Sequence, residues 1–198
     1  IVIRDDVKTM SRSRFDAILH GATDIVNCVG VLRGDDMHAN ADWQVNMLES
    51  ARTNGVANVI YISALGVQRQ EAGPHPDPYF ASRLHAEELV AGFSKGNDSG
   101  KHYILRPSVI YSHTCYGGSE SLRDMAGAPG FLPLPGGGKA LVAPVSAEDV
   151  ARVVGACVDG LATPGIIDVA GPEIMTQADY IQILRRWMGI KPAPVIPT

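Results

Sequence analysis

The sequence predicts an α/β fold, a parallel sheet covered by helices on both faces. Two observations carry that reading. Short runs rich in β-branched residues, such as 56–62, alternate with helix-length amphipathic stretches, such as 40–54. Alternation of that kind builds parallel strands joined by right-handed crossover helices, so the sheet is doubly wound. The chain has 198 residues, 45% of them hydrophobic, which suits one real core rather than two large domains.

The elements follow in order. Ile1-Val2-Ile3 reads as a strand. Residues 9–20 form a helix capped by Thr9 or Ser11, with Phe15, Ile18 and Leu19 on one face and Gly21 as its stop. Strand 24–29 is closed by Gly30, helix 40–54 ends at Asn54-Gly55, and 56–62 is the next strand. A polar loop containing Gly73-Pro74 leads to helix 79–93, and strand 103–106 is broken by Pro107. From about Ser112 the chain becomes loop-rich, with Gly117-Gly118, Pro129-Gly130 and the run 133–138. Capping boxes at Ser146-Ala147-Glu148-Asp149 and Thr176-Gln177-Ala178-Asp179 open two more helices. Val150, Val153, Val154 and Cys157 on the first, and Ile183, Leu184, Trp187 and Met188 on the second, are expected in the core.

Composition excludes several roles. A net charge of −4 without a basic stripe argues against a nucleic-acid binder. Apolar runs fall far short of the roughly 20 residues of a membrane span, and no secretory signal is visible. The three cysteines, Cys28, Cys115 and Cys157, form no C-x-x-C pair, so reduced thiols in a cytosol-like compartment are expected. The six histidines lack metal-ligand spacing, and no metal is predicted. His75-Pro76-Asp77 spells a co-chaperone tripeptide but lacks the flanking basic helix. Gly136-Gly137-Gly138-Lys139 lacks the spacing of a phosphate loop. The start without methionine and the run 191–198, which reads like the beginning of something, suggest a fragment.

Ligands of such sheets bind beyond the carboxyl ends of the strands, where Asp6, Asn27, Gly30, Ser63 and Pro107 fall. Next to them Tyr79 and Arg83 stand four residues apart at the head of a helix, on one face. A fixed cation beside a phenol favours phenolate, which equips the pair for acid–base chemistry.

With these residues in this order, the chain resembles the short-chain dehydrogenase/reductase superfamily, in its extended and atypical branches. It looks like the accessory-subunit-like proteins of respiratory complex I and the nucleoside-diphosphate-sugar epimerase-like proteins of that group. The resemblance implies a Rossmann-like doubly wound parallel sheet, N-terminally incomplete, with a small C-terminal substrate-side subdomain. It implies a partial dinucleotide-binding domain over 1–111 and a loop-rich substrate-side region over 112–198, packed as a single compact unit. It also implies NAD or NADP as cofactor and a small-molecule substrate.

Residue by residue, Asp6-Val7 resembles the pair whose acid meets the adenine amino group. Asn27-Cys28-Val29-Gly30 resembles the strand-end motif under adenosine and pyrophosphate, its glycine allowing close backbone approach. Asn40 matches the active-site asparagine, Tyr79 the catalytic tyrosine, and Ser63 the serine-bearing strand end. Pro107-Ser108 lies in the segment whose backbone touches nicotinamide, and Asp149 matches a mainly structural acid. Asp168-Val169-Ala170-Gly171-Pro172 with Thr176 resembles a late strand-to-helix turn of the same branch.

The chain also departs from the family. The glycine-rich G-x-x-G-x-x-G turn, which in the family lies upstream of the position of Ile1, is absent. Arg83 stands where the family has lysine, keeping the charge with a different geometry. Sugar-epimerase alignment puts Ala64, not Ser63, at the serine position. Two functions follow. One is an NAD(P)-dependent oxidoreductase or sugar-nucleotide epimerase-like enzyme acting on a carbonyl or hydroxyl. The other is a non-catalytic dinucleotide-binding scaffold or redox-sensing module, as in a complex I accessory subunit, with oligomeric or larger-complex partners. The first places the protein in the cytoplasm; the second allows an organelle matrix or a membrane-peripheral position.

Overall fold

Local capping decides where the first elements begin and end. The computed structural model describes residues 5–30, 39–68, 77–95, 100–114 and 118–198, with backbone alone at 39, 40 and 42. The expected strand at 1–3 lies outside the described residues. Asp6 caps a single 3-10 turn at Val7–Thr9. The Ser11 hydroxyl then accepts from the Arg14 amide and starts α1 at Arg12–Leu19. Strand β1 covers Asp24–Asn27 and is shorter than expected, because the Asn27 side chain accepts the Val29 amide and turns the chain. Then come α2 at Ala39–Thr53, β2 at Asn58–Ile62, α3 at Pro78–Phe93 and β3 at Lys101–Pro107.

These strands and β8, at Gly165–Val169, form a four-stranded sheet of order β1-β2-β3-β8. The β1–β2 and β2–β3 pairs are parallel, with Val26 opposite Ile60 and Ile60 opposite Tyr103. Val59, Ile60 and Tyr61 are all fully buried. A parallel strand covered on both faces reads as a continuous apolar run, and β2 does so. On one face Val59, Tyr61 and Ile104 pack against Phe15 and Leu19 of α1, Trp43, Met47 and Leu48 of α2, and Val90 and Phe93 of α3. The α/β Rossmann-like class expected from the alternation is the class observed.

The chain divides into two units, Ile1–Pro107 with Ala151–Asp168, and Ser108–Val150 with Val169–Thr198. The sequence suggested one division at 111/112. Instead β8 extends the sheet beside β3, which brings residues 151–168 back to the first unit.

The second unit contains more regular structure than its glycines and prolines suggested. Short strands pair as β4 (Ile110–Tyr111) with β7 (Val145–Ser146), β5 (Leu132–Leu134) with β10 (Val195–Pro197), and β6 (Leu141–Val142) with β9 (Met175–Thr176). A helix that the loop-rich reading missed, α4 at Gly118–Gly127, precedes β5. Helix α5 spans Ala147–Val158 and α6 spans Gln177–Trp187. Both capping boxes form: the Ser146 hydroxyl accepts the Asp149 amide, and the Thr176 hydroxyl accepts the Asp179 amide. Gly171 has no room for a side chain, since a Cβ there would sit 1.8 Å from the Pro144 carbonyl oxygen.

The expected core stripe on α6 needs correction. Trp187 is 64% and Ile183 38% exposed, whereas Tyr180, Ile181 and Arg185 are buried. Arg185 can occupy the inner face because its guanidinium donates to the Ala126, Ala128 and Lys191 carbonyls, satisfying the end of α4. On α5, Val150 and Cys157 are buried as expected, while Val153 and Val154 are only half-buried. No helix among the described residues is long and apolar enough to cross a membrane.

Candidate active site

Tyr79 owes its place to the start of α3. Asp77 has extended backbone and accepts the Tyr79 amide at 2.9 Å, and Pro78 fits the first helical position. Tyr79, Arg83 and Glu87 then follow at four-residue spacing, so one helix face presents all three to the sheet. Along β2 and the residue that follows it the same logic runs with period two, and Tyr61 and Ser63 reach that face. Tyr61 meets Arg83, and Ser63 meets Glu87.

Arg83 is the hub. It is 7% exposed, with its guanidinium carbon 5.3 Å from the Tyr79 ring centre and 5.7 Å from that of Tyr61. Its Nη1 donates to the Tyr61 hydroxyl at 2.8 Å and to the Val29 and Ile62 carbonyls at 3.2 Å each. Two N–H groups thus serve three acceptors at the ends of two adjacent strands. Burial works against the guanidinium charge, but the Tyr61 and Tyr79 phenols outweigh it and raise its pKa above the usual range. Burial likewise raises the Tyr61 pKa, against the lowering influence of Arg83. The cation is therefore permanent, and Tyr61 holds it as a neutral hydroxyl.

Below this hub sits a second cluster. Glu87, 3% exposed, accepts Arg106 Nη2 at 2.6 Å and Nε at 3.0 Å, and the Ser63 hydroxyl at 2.5 Å. The hydrogen bonds that Arg106 donates to Glu87, helped by the carboxylate charge, raise the arginine's pKa despite burial. Sequence reasoning missed Tyr61, Glu87 and Arg106. The signal was present in the Tyr79, Arg83, Glu87 spacing and in the alternation of Tyr61 with Ser63.

The other expected residues are placed as follows. The Asp6 carboxylate accepts the Lys8 amide as a local cap, and Val7 packs on the core. Asn27 is 3% exposed and its Nδ2 has no hydrogen-bond partner among the described residues. Cys28 is an exposed free thiol, and the Val29 carbonyl is on Arg83. The space a Cβ would need at Gly30 is filled by Arg83, with Nη2 1.7 Å away. The Pro107 carbonyl accepts the Leu65 amide. Ser108, in the second unit, bonds Val169 through its amide and accepts the Ala143 amide on its hydroxyl. Asn40 stands in α2, with its side chain outside the described residues.

A dinucleotide fits part of this arrangement. The Nδ2 of Asn27 and Nε of Arg83, without partners among the described residues, are buried donors near the ends of β1 and β2, where a polar ligand would complete them. The Gly30 notch, in contrast, is already filled by Arg83. Separately, the second unit contains a cavity of about 520 Å³ bordered by Tyr111, Arg123, Glu148, Glu173, Tyr180 and Trp187. Arg123 is fixed there by the Ser112 carbonyl at 2.7 Å and lies 5.2 Å from the Trp187 ring centre.

No family profile and no curated protein sequence matches the chain. Solved structures do. The dTDP-glucose 4,6-dehydratase of Streptomyces venezuelae, with NAD bound, is 19% identical, with a TM-score of 0.77 over 99% of this chain and 67% of that one. The UDP-glucose 4-epimerase of Thermus thermophilus, in complex with NAD, is also 19% identical, with a TM-score of 0.77 over 98% and 71%. The Thermotoga maritima epimerase with UDP-glucose is 16% identical, with a TM-score of 0.77 over 99% and 71%. The chain thus has the α/β fold of these proteins over about two thirds of their length.

Proposed function

We propose that the chain is an NAD(P)-binding protein of the short-chain dehydrogenase/reductase type, working as an oxidoreductase or sugar-nucleotide epimerase-like enzyme on a small carbonyl or hydroxyl compound. One observation carries this reading: a permanent, buried cation lies 5.3 Å from the ring of a tyrosine beside the ends of two parallel strands. Tyr79 would pass a proton to or from the substrate oxygen, with the Arg83 guanidinium held beside its ring. Asp6 and Asn27 would hold the dinucleotide, with Pro107 at the nicotinamide end. The nicotinamide, when bound, supplies the hydride chemistry. Asn40 and Ser63 would orient water and substrate, Ser63 only by sharing its hydroxyl with Glu87. A cytoplasmic setting suits this reading.

The test is Tyr79→Phe. Epimerisation of UDP-glucose and oxidation of NAD(P)H by a panel of simple carbonyls should be lost, while cofactor affinity by calorimetry stays within a few-fold. Undiminished turnover would make Tyr79 a packing residue and remove the centre of the proposal. One observation favours the second reading, a non-catalytic dinucleotide-binding scaffold: the Ser63 hydroxyl and Arg83 Nη1 are both engaged by the protein itself.

A further inference from the structure

We infer that Gly30 and Tyr61 are positioning residues for Tyr79, acting through Arg83: together they fix where the guanidinium stands. The inference rests on the reading of Tyr79 as the acid–base group, though its geometry does not. An ideal Cβ at Gly30 would come within 1.7 Å of Arg83 Nη2 and 2.7 Å of Cζ. Real side chains do not approach so closely, so a side chain at position 30 would push the guanidinium from where it stands. On the other side Tyr61, fully buried, accepts Nη1 at 2.8 Å, and the Val29 and Ile62 carbonyls share the same nitrogen. The guanidinium is wedged between an absent side chain and a hydroxyl.

That wedge explains why the glycine ends Asn27-Cys28-Val29-Gly30. Its backbone φ is not in the left-handed region, so no turn demands glycine there. Close approach does, and the group that approaches is Arg83 rather than a ligand. Lysine would end at the position of Cζ, one bond short of Nη2. It would relieve the closest contact with a methyl group at position 30. Positions 30 and 83 should therefore behave as a coupled pair, and Tyr61 should report on both.

The experiment compares wild type, Gly30→Ala, Arg83→Lys, the double variant and Tyr61→Phe. The chain carries tyrosine labelled with ¹³C at Cζ, assigned with Tyr61→Phe and Tyr79→Phe. Gly30→Ala should lower the melting midpoint and move the Tyr61 and Tyr79 resonances. In the Arg83→Lys background the same change should cost about half as much or less, the non-additivity of contacting residues. Tyr61→Phe, which keeps the ring, should move the Tyr79 resonance too. Equal losses in both backgrounds, or a Tyr79 resonance unmoved by Gly30→Ala and Tyr61→Phe, would overturn the inference. If Gly30→Ala does not fold, the Tyr79 resonance in Tyr61→Phe decides alone. None of these readouts needs cofactor or turnover. Missing activity would count against the proposed enzyme and leave the coupling intact.

Discussion

Glu87 grips Arg106 at two points, Oε2 to Nη2 at 2.6 Å and Oε1 to Nε at 3.0 Å, and the pair joins α3 to β3. Both residues are buried, at 3% and 9% exposure. Removing one partner of such a pair strands a charge away from water, which costs about 3–5 kcal/mol. Glu87→Gln keeps the shape and removes the charge, so it should lose stability of that order in urea denaturation. A loss under about 1 kcal/mol would mean that Arg106 finds water or another acceptor.

Tyr103 makes the opposite case. It is fully buried, and its hydroxyl has no hydrogen-bond partner among the described residues. Burial raises its pKa, as expected for a phenol without a stabilising neighbour. An unmet buried hydroxyl costs about 1–3 kcal/mol. Tyr103→Phe should therefore raise the thermal midpoint. A fall would show that the hydroxyl is satisfied in solution.

His102 adds a pH dependence. Its Nδ1 lies 2.7 Å from the Ser94 hydroxyl, and burial lowers its pKa below the ordinary value. The folded state then disfavours the imidazolium relative to the unfolded chain. Stability from this residue is fully present above about pH 6.5 and declines as pH falls through the lower folded pKa. His102→Gln should flatten the stability profile between about pH 7 and 5 relative to wild type. Parallel profiles would contradict the shift.

The sheet was legible because alternation and β-branching are local signals, and β2 and α3 appear within two residues of expectation. The Tyr79–Arg83 face was legible because helix spacing alone brings the two together. Tyr61 was not, because a strand tyrosine reads as packing until its hydroxyl has a partner. Gly30 was read as open to a ligand, since sequence cannot show that another side chain fills its notch. Arg185 and Trp187 exchanged roles for a similar reason. A charged residue can lie inside once carbonyls from elsewhere in the chain satisfy it, and two of the three that do so here are 57 and 59 residues away.

Arg83→Lys separates the enzyme from the scaffold. The exchange removes the fork that serves Tyr61, Val29 and Ile62, so some stability should be lost under either reading. Activity divides them. In an enzyme, lysine keeps the charge beside Tyr79, frees the Gly30 notch and restores the residue that the resemblance expects. General acid–base catalysis contributes about 10²–10⁴-fold, so a working site should respond measurably. The assay is NAD(P)H oxidation by carbonyls and quinones, NAD(P)+ reduction by hydroxyl compounds and epimerisation of UDP-glucose followed by its product, wild type beside Arg83→Lys, from about pH 6 to 10, a span chosen to bracket general acid–base chemistry. A rise in the lysine variant would show a site whose geometry outlasted the change to arginine. Turnover in wild type that falls in the variant would show that arginine itself has become the working partner. A flat zero for both would leave the buried cation with a structural task, locking the ends of β1 and β2, and would favour the scaffold.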